Sequence, residues 1–192
     1  MDSSDILSNL TEQFNQLVDD THTPSKLAFI PVSPHYWLIN RSGSMYHVPF
    51  INCKMPFEFQ KQGTAITTAL RLTKRDNHKT INLIESLENF FESLVMLKGK
   101  THNVNLKDYT YMRAMKIKGA LDPIVKITLM KNNAYVFESF NKAGSFITFN
   151  EAFDNHKTEC YSGDIVINGL WINSETKTFG LTIHLKKVVL LN

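Results

Sequence analysis

The chain has 192 residues, 43% of them hydrophobic and 11% aromatic, with 8 Gly and 6 Pro. These are values of a folded domain and exclude a disordered, collagen-like or low-complexity protein. The net charge of +3 is too small to announce a polyanion partner by itself, and two cysteines, Cys53 and Cys160, exclude a disulfide framework.

Ser3 or Ser4 caps a first helix over 1–20, because Ile6, Leu7, Leu10, Phe14, Leu17 and Val18 recur at helical spacing. This amphipathic helix packs across the domain or mediates self-association. Met1 to Asp5 carries two acids and no base, which points away from a secretory or mitochondrial leader, so an intracellular protein is expected. No run of about 18 apolar residues exists, and no membrane span is expected.

Leu27 to Val32 and Tyr36 to Ile39 are rich in strand formers, and Asn40-Arg41-Ser42-Gly43 turns the chain toward a strand at Met45 to Ile51. Ile66, Thr68, Leu70 and Leu72 alternate as a half-buried strand does. After the polar stretch Lys74 to Lys79, Asn77 or Thr80 opens a long helix reaching residue 99, with Ile81, Ile84, Leu87, Phe91, Leu94 and Val95 on one face. From Pro123 onward the pattern is β: Ile124 to Met130, Tyr135 to Phe140, Phe146 to Phe149, then a hairpin of Asp164 to Ile172 and Phe179 to Leu185. Val188 and Leu190 break the parity of that last strand, which predicts a bulge or strand end near Lys187. The expectation is a single α+β domain over 1–192: an OB-like small antiparallel β-barrel with an inserted long helix, 77–99, and the N-terminal amphipathic helix.

Catalytic signatures are missing: the sequence holds no Walker A, GxGxxG, GxSxG, HExxH or EF-hand pattern. Its seven histidines are scattered without ligand spacing, so neither a metal nor another cofactor is expected. One enzyme-like pattern is Asp164 with Glu175-Thr176-Lys177, the order of a metal-dependent nuclease in which two carboxylates hold Mg²⁺ and a lysine orients water. Glu175 and Lys177 fall in a polar turn, however, and a hairpin turn with ordinary charges explains them better. The protein is expected not to be an enzyme.

Charge is unevenly distributed. Residues 1–63 hold 4 bases and 6 acids, 64–121 hold 10 and 5, and 122–192 hold 7 and 7. The excess sits in two clusters flanking the long helix: Arg71, Lys74, Arg75 and Lys79, then Lys98, Lys100, Lys107, Arg113, Lys116 and Lys118. Tyr109 and Tyr111, two apart and on one face of an extended segment, interleave with the second cluster. Cations that track phosphates beside rings that stack on bases suit single-stranded nucleic acid. Half-buried tyrosines under a solvated basic surface are the alternative. Trp37 and Trp171 are further stacking candidates, although Trp171 shares its strand parity with Ile165 and Ile167 and reads more naturally as core.

The run from Ile81 through the basic segment into Asp122-Pro123-Ile124-Val125-Lys126-Ile127-Thr128-Leu129, with the ending Gly169-Leu170-Trp171-Ile172-Asn173 and Phe179-Gly180-Leu181-Thr182-Ile183-His184-Leu185, resembles the single-stranded DNA-binding proteins of large double-stranded DNA viruses. These share an OB-type barrel with podophage single-stranded DNA-binding proteins. The resemblance covers Thr64 to Leu190 and lies in element order and the terminal hairpin. It implies sequence-tolerant binding of single strands in viral DNA replication, recombination or repair, at the site of replication in host cytoplasm or nucleus, without catalysis. Such proteins often end in an acidic tail that recruits replication proteins, whereas this chain ends Lys186-Lys187-Val188-Val189-Leu190-Leu191-Asn192. That role is then absent or lies elsewhere, for example in the first helix. The choice between DNA and RNA rests on contacts to the 2′-hydroxyl and stays open. Two other functions fit the sequence: a noncatalytic scaffold that self-associates through the first helix, and the nuclease built on Asp164 and Glu175.

Overall fold

The computed structural model describes residues 27–33, 35–41, 46–94, 100–101, 104–105, 108–131 and 134–191. The helix expected over 1–20 and the residues Lys98 and Lys107 lie outside this set. By contact pattern the chain divides into two compact units, one holding the residues to 46, 83–113 and 167–182, the other 47–82, 114–166 and 183–192.

In the first unit β1 (Leu27–Ser33) and β2 (Tyr36–Arg41) form an antiparallel hairpin whose register shifts between Pro31 and Ser33. Proline has no N–H to give the ladder, so an irregularity there is the expected accommodation. β2 continues the sheet onto the later part of β13 (Tyr161–Asn173), with Leu38 opposite Gly169 and Tyr36 opposite Trp171. β6 (Lys100–Thr101) and β7 (Val104–Asn105) make a two-stranded ladder, and β8 (Thr110–Tyr111) runs parallel to the start of β14 (Thr178–Leu190).

The second unit is organised around β5 (Ala65–Arg71) and β10 (Ile124–Lys131), paired antiparallel from Arg71 opposite Ile124 to Ile66 opposite Met130. β4 (Gln60–Gln62) flanks β5, while β9 (Met115–Lys116) and β11 (Ala134–Tyr135) pair with β10. β3 (Tyr46–Cys53) pairs with β13, and β12 (Glu138–Phe140) runs parallel to β14. Leu70, Val125, Ile127, Leu129, Ile183 and Leu185 are buried, so alternation along these strands separates a core face from an outer one.

Helix α1 (Lys74–Leu94) begins earlier than the sequence reading expects. The polar stretch from Lys74 is helical because it is capped from a distance: the Asp122 carboxylate accepts the Lys74 N–H at 3.0 Å, and Thr73 accepts from Asp76 and Asn77. Asn77, at φ −123°, kinks the helix. Its side chain accepts from the Ile51 N–H and donates to the Ile51 carbonyl, both at 2.8 Å, while Thr80 donates to the Pro49 carbonyl at 2.6 Å. A 2% exposed asparagine thus satisfies backbone groups of β3, which is why it tolerates a non-helical conformation.

Two further expectations change. Tyr135 to Phe140 is not one strand: β11 stays with β10 while β12 turns away to β14. Phe146 to Phe149 is not a strand either. Phe146 makes a single bridge to Phe140, and α2 (Phe149–Phe153) follows, with Thr148 and Glu151 bonding each other's backbone as a capping box.

The sheet also departs from a small antiparallel barrel. β14, 13 residues long, exceeds each of its short neighbours, so β8, β10 and β12 meet it in turn, all parallel. Among the described residues the order runs β1-β2-β13-β14-β10-β5-β4, a mixed and open sheet. At the position of the expected bulge, Lys186 and Lys187 are exposed in succession and burial resumes at Val188, while the strand itself continues to Leu190. No helix among the described residues is long and apolar enough to cross a membrane.

Candidate nucleic-acid interface

Residues directly opposite in a ladder share a face of the sheet. In the second unit the bridge of Lys54 to Arg71, the pairing of Arg71 with Ile124 and that of Ile124 with Lys116 make one row across four segments. Ala69 opposite Lys126 makes the next row, and Thr67 opposite Thr128, itself opposite His184, the third. The partners at the intervening positions, Leu70, Val125 and Met115, are buried. The first two rows therefore carry Lys54, Arg71, Lys116 and Lys126 on the outer face with no carboxylate, while the third row is covered, Thr67 being buried. With strands about 4.8 Å apart, the first row spans roughly 14 Å. Among the described residues none of these four cations forms an ion pair with a carboxylate.

Of the residues singled out in the sequence, Arg71 and Lys116 belong to this face. Lys118 and Arg75 are exposed in the same unit, on the segment after β9 and at the start of α1. Lys74 is engaged by its own fold, its ammonium lying 3.1 Å from the Ala120 carbonyl. Arg113, in the first unit, is held by Glu92 (Nε at 3.1 Å) and Asn89 (2.6 Å) on α1. That pairing raises its pKa and balances its charge.

The tyrosines lie inside the first unit, each 8% exposed. Tyr111 packs edge-on against Phe179, and burial, with Glu88 nearby, pushes its phenol far above the usual range. The Lys177 ammonium sits 5.1 Å from the centre of the Tyr109 ring. Trp171 is half-buried against Gly180, where an added Cβ would come within 3.0 Å of the indole. Trp37 and Lys100 are placed by their backbones, in β2 and β6. The Tyr109 and Tyr111 rings, expected to offer open faces, are therefore packing residues: Tyr111 stands opposite buried Phe179 in the ladder, and apolar burial outweighs exposure.

Lys54 and Lys126 escaped the sequence reading. Lys126 carries a signal, as the polar position in the alternation Ile124 to Ile127. Lys54 carries none, because its place depends on a bridge to a residue 17 positions later.

The nuclease pattern is divided. Asp164 lies in β13 within the second unit, while Glu175 and Lys177 stand in the exposed turn of the first, where Asn173 Oδ1 accepts the N–H groups of Glu175 and Thr176 at 3.0 Å. Among the described residues no group of three or more His, Cys, Asp or Glu is placed to hold a metal ion.

His184, at the edge of the third row, has a buried Nε2 without a hydrogen-bond partner among the described residues. Burial first, and Lys131 second, push its pKa down to about 4. The folded state then takes up this proton less readily than the unfolded chain, whose histidine titrates near 6.5. The associated stability is complete above about pH 6.5 and is lost as pH falls toward 4, up to about 3 kcal/mol. Urea titrations at pH 7 and pH 4.5 should show this loss in the wild-type chain and a smaller one in His184→Gln; equal losses would remove His184 as the cause.

No family model matches the chain, and neither does any curated protein. Its neighbours among solved structures are phage single-stranded DNA-binding proteins. The single-stranded DNA-binding protein of bacteriophage Enc34, in a C-terminally truncated form, superposes with a TM-score of 0.50 at 12% identity, covering 87% of this chain and 95% of that one. The untruncated protein gives 0.45 at 12% identity, covering 86% and 89%. Its complex with single-stranded DNA gives 0.44 at 14% identity, covering 86% and 94%. The first likeness is one of fold.

Proposed function

We propose that the chain binds single-stranded DNA with little regard to sequence and without catalysis, through an OB-like sheet face, in replication, recombination or repair of viral DNA. The observation that carries this reading is the acid-free outer face with Lys54, Arg71, Lys116 and Lys126. Cations on neighbouring strands present a stripe of positive charge to a flexible phosphate backbone, and such binding needs no base-edge readout. The shared fold with a phage protein of that activity supports the same reading. The proposed place of action is the site of viral replication.

The test is fluorescence anisotropy with labelled oligothymidylate and a duplex of equal length. Four phosphate contacts on a single strand release counterions with a log-log salt slope of about −2.8, so affinity should fall roughly 50-fold from 50 to 200 mM salt. Single strands should bind more tightly than duplex. Equal binding of both, or none at low salt, overturns the proposal. Oligouridylate in the same titration decides whether RNA is also accepted.

A further inference from the structure

Tyr109 and Tyr111 are buried, yet sequence-tolerant binding of single strands ordinarily uses rings open to solvent. The second unit offers such a ring elsewhere. Phe146 is 69% exposed, the most of any exposed large hydrophobic side chain among the described residues. A single exposed phenylalanine means little. This one is held in place by a built hairpin over 139–147. The Asn141 N–H donates to the Ser145 carbonyl, Gly144 N–H to the Asn141 carbonyl, and Ile147 N–H to the Ser139 carbonyl, each at 2.9 Å. Two side chains lock it further, Asn141 Oδ1 accepting from the Ser145 N–H at 2.9 Å and the Ser139 hydroxyl donating to the Ile147 carbonyl at 2.5 Å. Gly144, at φ 84°, supplies the turn.

The same hairpin sets Phe140 edge-on to Phe146, with ring centres 6.1 Å apart at 90°. Lys187 places its ammonium 5.1 Å from the centre of the Phe140 ring. Register puts these groups on one side of the sheet: Glu138 is opposite Lys187 and Phe140 opposite Val189, whereas the intervening pair, Ser139 and Val188, is buried. Lys186 and Lys187 are both exposed on β14, while His184 has the parity of Lys186 and Val188 rather than that of Lys187. Lys142 is exposed at the hairpin tip. Over residues 138–147 and 183–191 there are three lysines and one carboxylate, Glu138.

We propose that this hairpin is the base-stacking platform of the protein: Phe146, braced by Phe140, stacks on a base of a single strand while Lys187 and Lys142 take the adjoining phosphates. The assignment rests on the reading of the chain as a single-strand binder and extends it to the residues that grip bases. Positive charge around an open ring selects an anionic, base-bearing occupant over a second copy of the chain. The backbone that carries the ring is fixed by five hydrogen bonds within the hairpin, so covering the ring orders little further chain.

The test compares the wild-type chain with Phe146→Ala, Phe146→Leu, Phe146→Trp and Lys187→Gln, using oligothymidylate anisotropy, light scattering and thermal melting. Phe146→Ala should weaken binding roughly 5- to 150-fold, the range for loss of one stacked base. Its salt slope and melting temperature should stay unchanged. Phe146→Leu should lose as much, Phe146→Trp should retain affinity, and Lys187→Gln should reduce the salt slope by about 0.7. Iododeoxyuridine placed in the oligomer should photocrosslink to the peptide carrying Phe146, a readout that needs no variant.

Wild-type affinity in Phe146→Ala or Phe146→Leu, or a crosslink confined to other peptides, overturns the platform while leaving single-strand binding intact. A changed oligomeric state with unchanged affinity overturns it in favour of a second copy as occupant. Absence of binding by the wild-type chain removes both proposals.

Discussion

Reversing Arg71 and Lys116 together to glutamate is expected to lower affinity for oligothymidylate on the order of 100-fold at 50 mM salt. Charge-assisted hydrogen bonds are each worth about 1.5–3 kcal/mol, and two lost contacts at the lower end correspond to about two powers of ten. The salt slope should shrink by about 1.4, since each single-strand phosphate contributes about 0.7. Both residues stand on the outer face with side chains off the core, so circular dichroism and melting should be unaffected. Arg113→Ala is the informative contrast. Its guanidinium already answers Glu92 and Asn89, so its loss should cost less than about 1 kcal/mol of stability, as for other exposed pairs, and leave affinity alone. Equal effects of the two changes would mean that the row is not the phosphate-binding surface.

Gly163→Ala is expected to cost about 3 kcal/mol or more. A Cβ at this position in β13 would lie 2.0 Å from the Lys187 carbonyl oxygen and 2.8 Å from its carbon. Both are backbone atoms of β14, and no rotamer change relieves the clash; the strands must separate. Gly63→Ala provides the comparison, since a Cβ there meets nothing within 4 Å and only the positive φ of 59° is strained. That change should cost about 1 kcal/mol. Chemical denaturation of both variants separates the two causes, and similar losses would show that the close approach of β13 and β14 relaxes freely. The position also bears on binding, because Gly163 packs against the backbone of the residue whose ammonium caps Phe140.

Much of the secondary structure was legible because it is written in local periodicity. The alternation from Phe179 to Leu185 and from Ile124 to Met130, and the helical face of Ile84, Leu87 and Phe91, all correspond to buried residues. The start of α1 was not, because its cap comes from Asp122, 48 residues away from the Lys74 N–H that it accepts. α2 was legible in principle: Thr148-Phe149-Asn150-Glu151 is a capping box, but the aromatic content of Phe146 to Phe149 favoured a strand. On the proposed binding face, Arg71 and Lys116 belong to the basic excess visible in the sequence, whereas Tyr109 and Tyr111 beside that excess are buried. Counting residues along the chain does not say which side of a strand faces solvent.

Local pattern in the sequence carries a folded chain of strands and one long helix, positive charge concentrated in the middle third, and an element order resembling viral single-strand binders. It does not carry the open, mixed sheet that replaces the expected antiparallel barrel. Which of the positive charges share a face is visible in the folded chain alone. Lys54, Arg71, Lys116 and Lys126 come from four separate segments, and they form a surface because backbone pairing sets them in adjacent rows of one face. The same pairing carries Phe140 to Lys187, 47 positions on, and turns an exposed phenylalanine into part of a built site. Periodicity is a property of neighbours in the chain and survives in the sequence. Register between distant strands is a property of the whole fold, set by which apolar faces are buried together, and a single sequence does not display it.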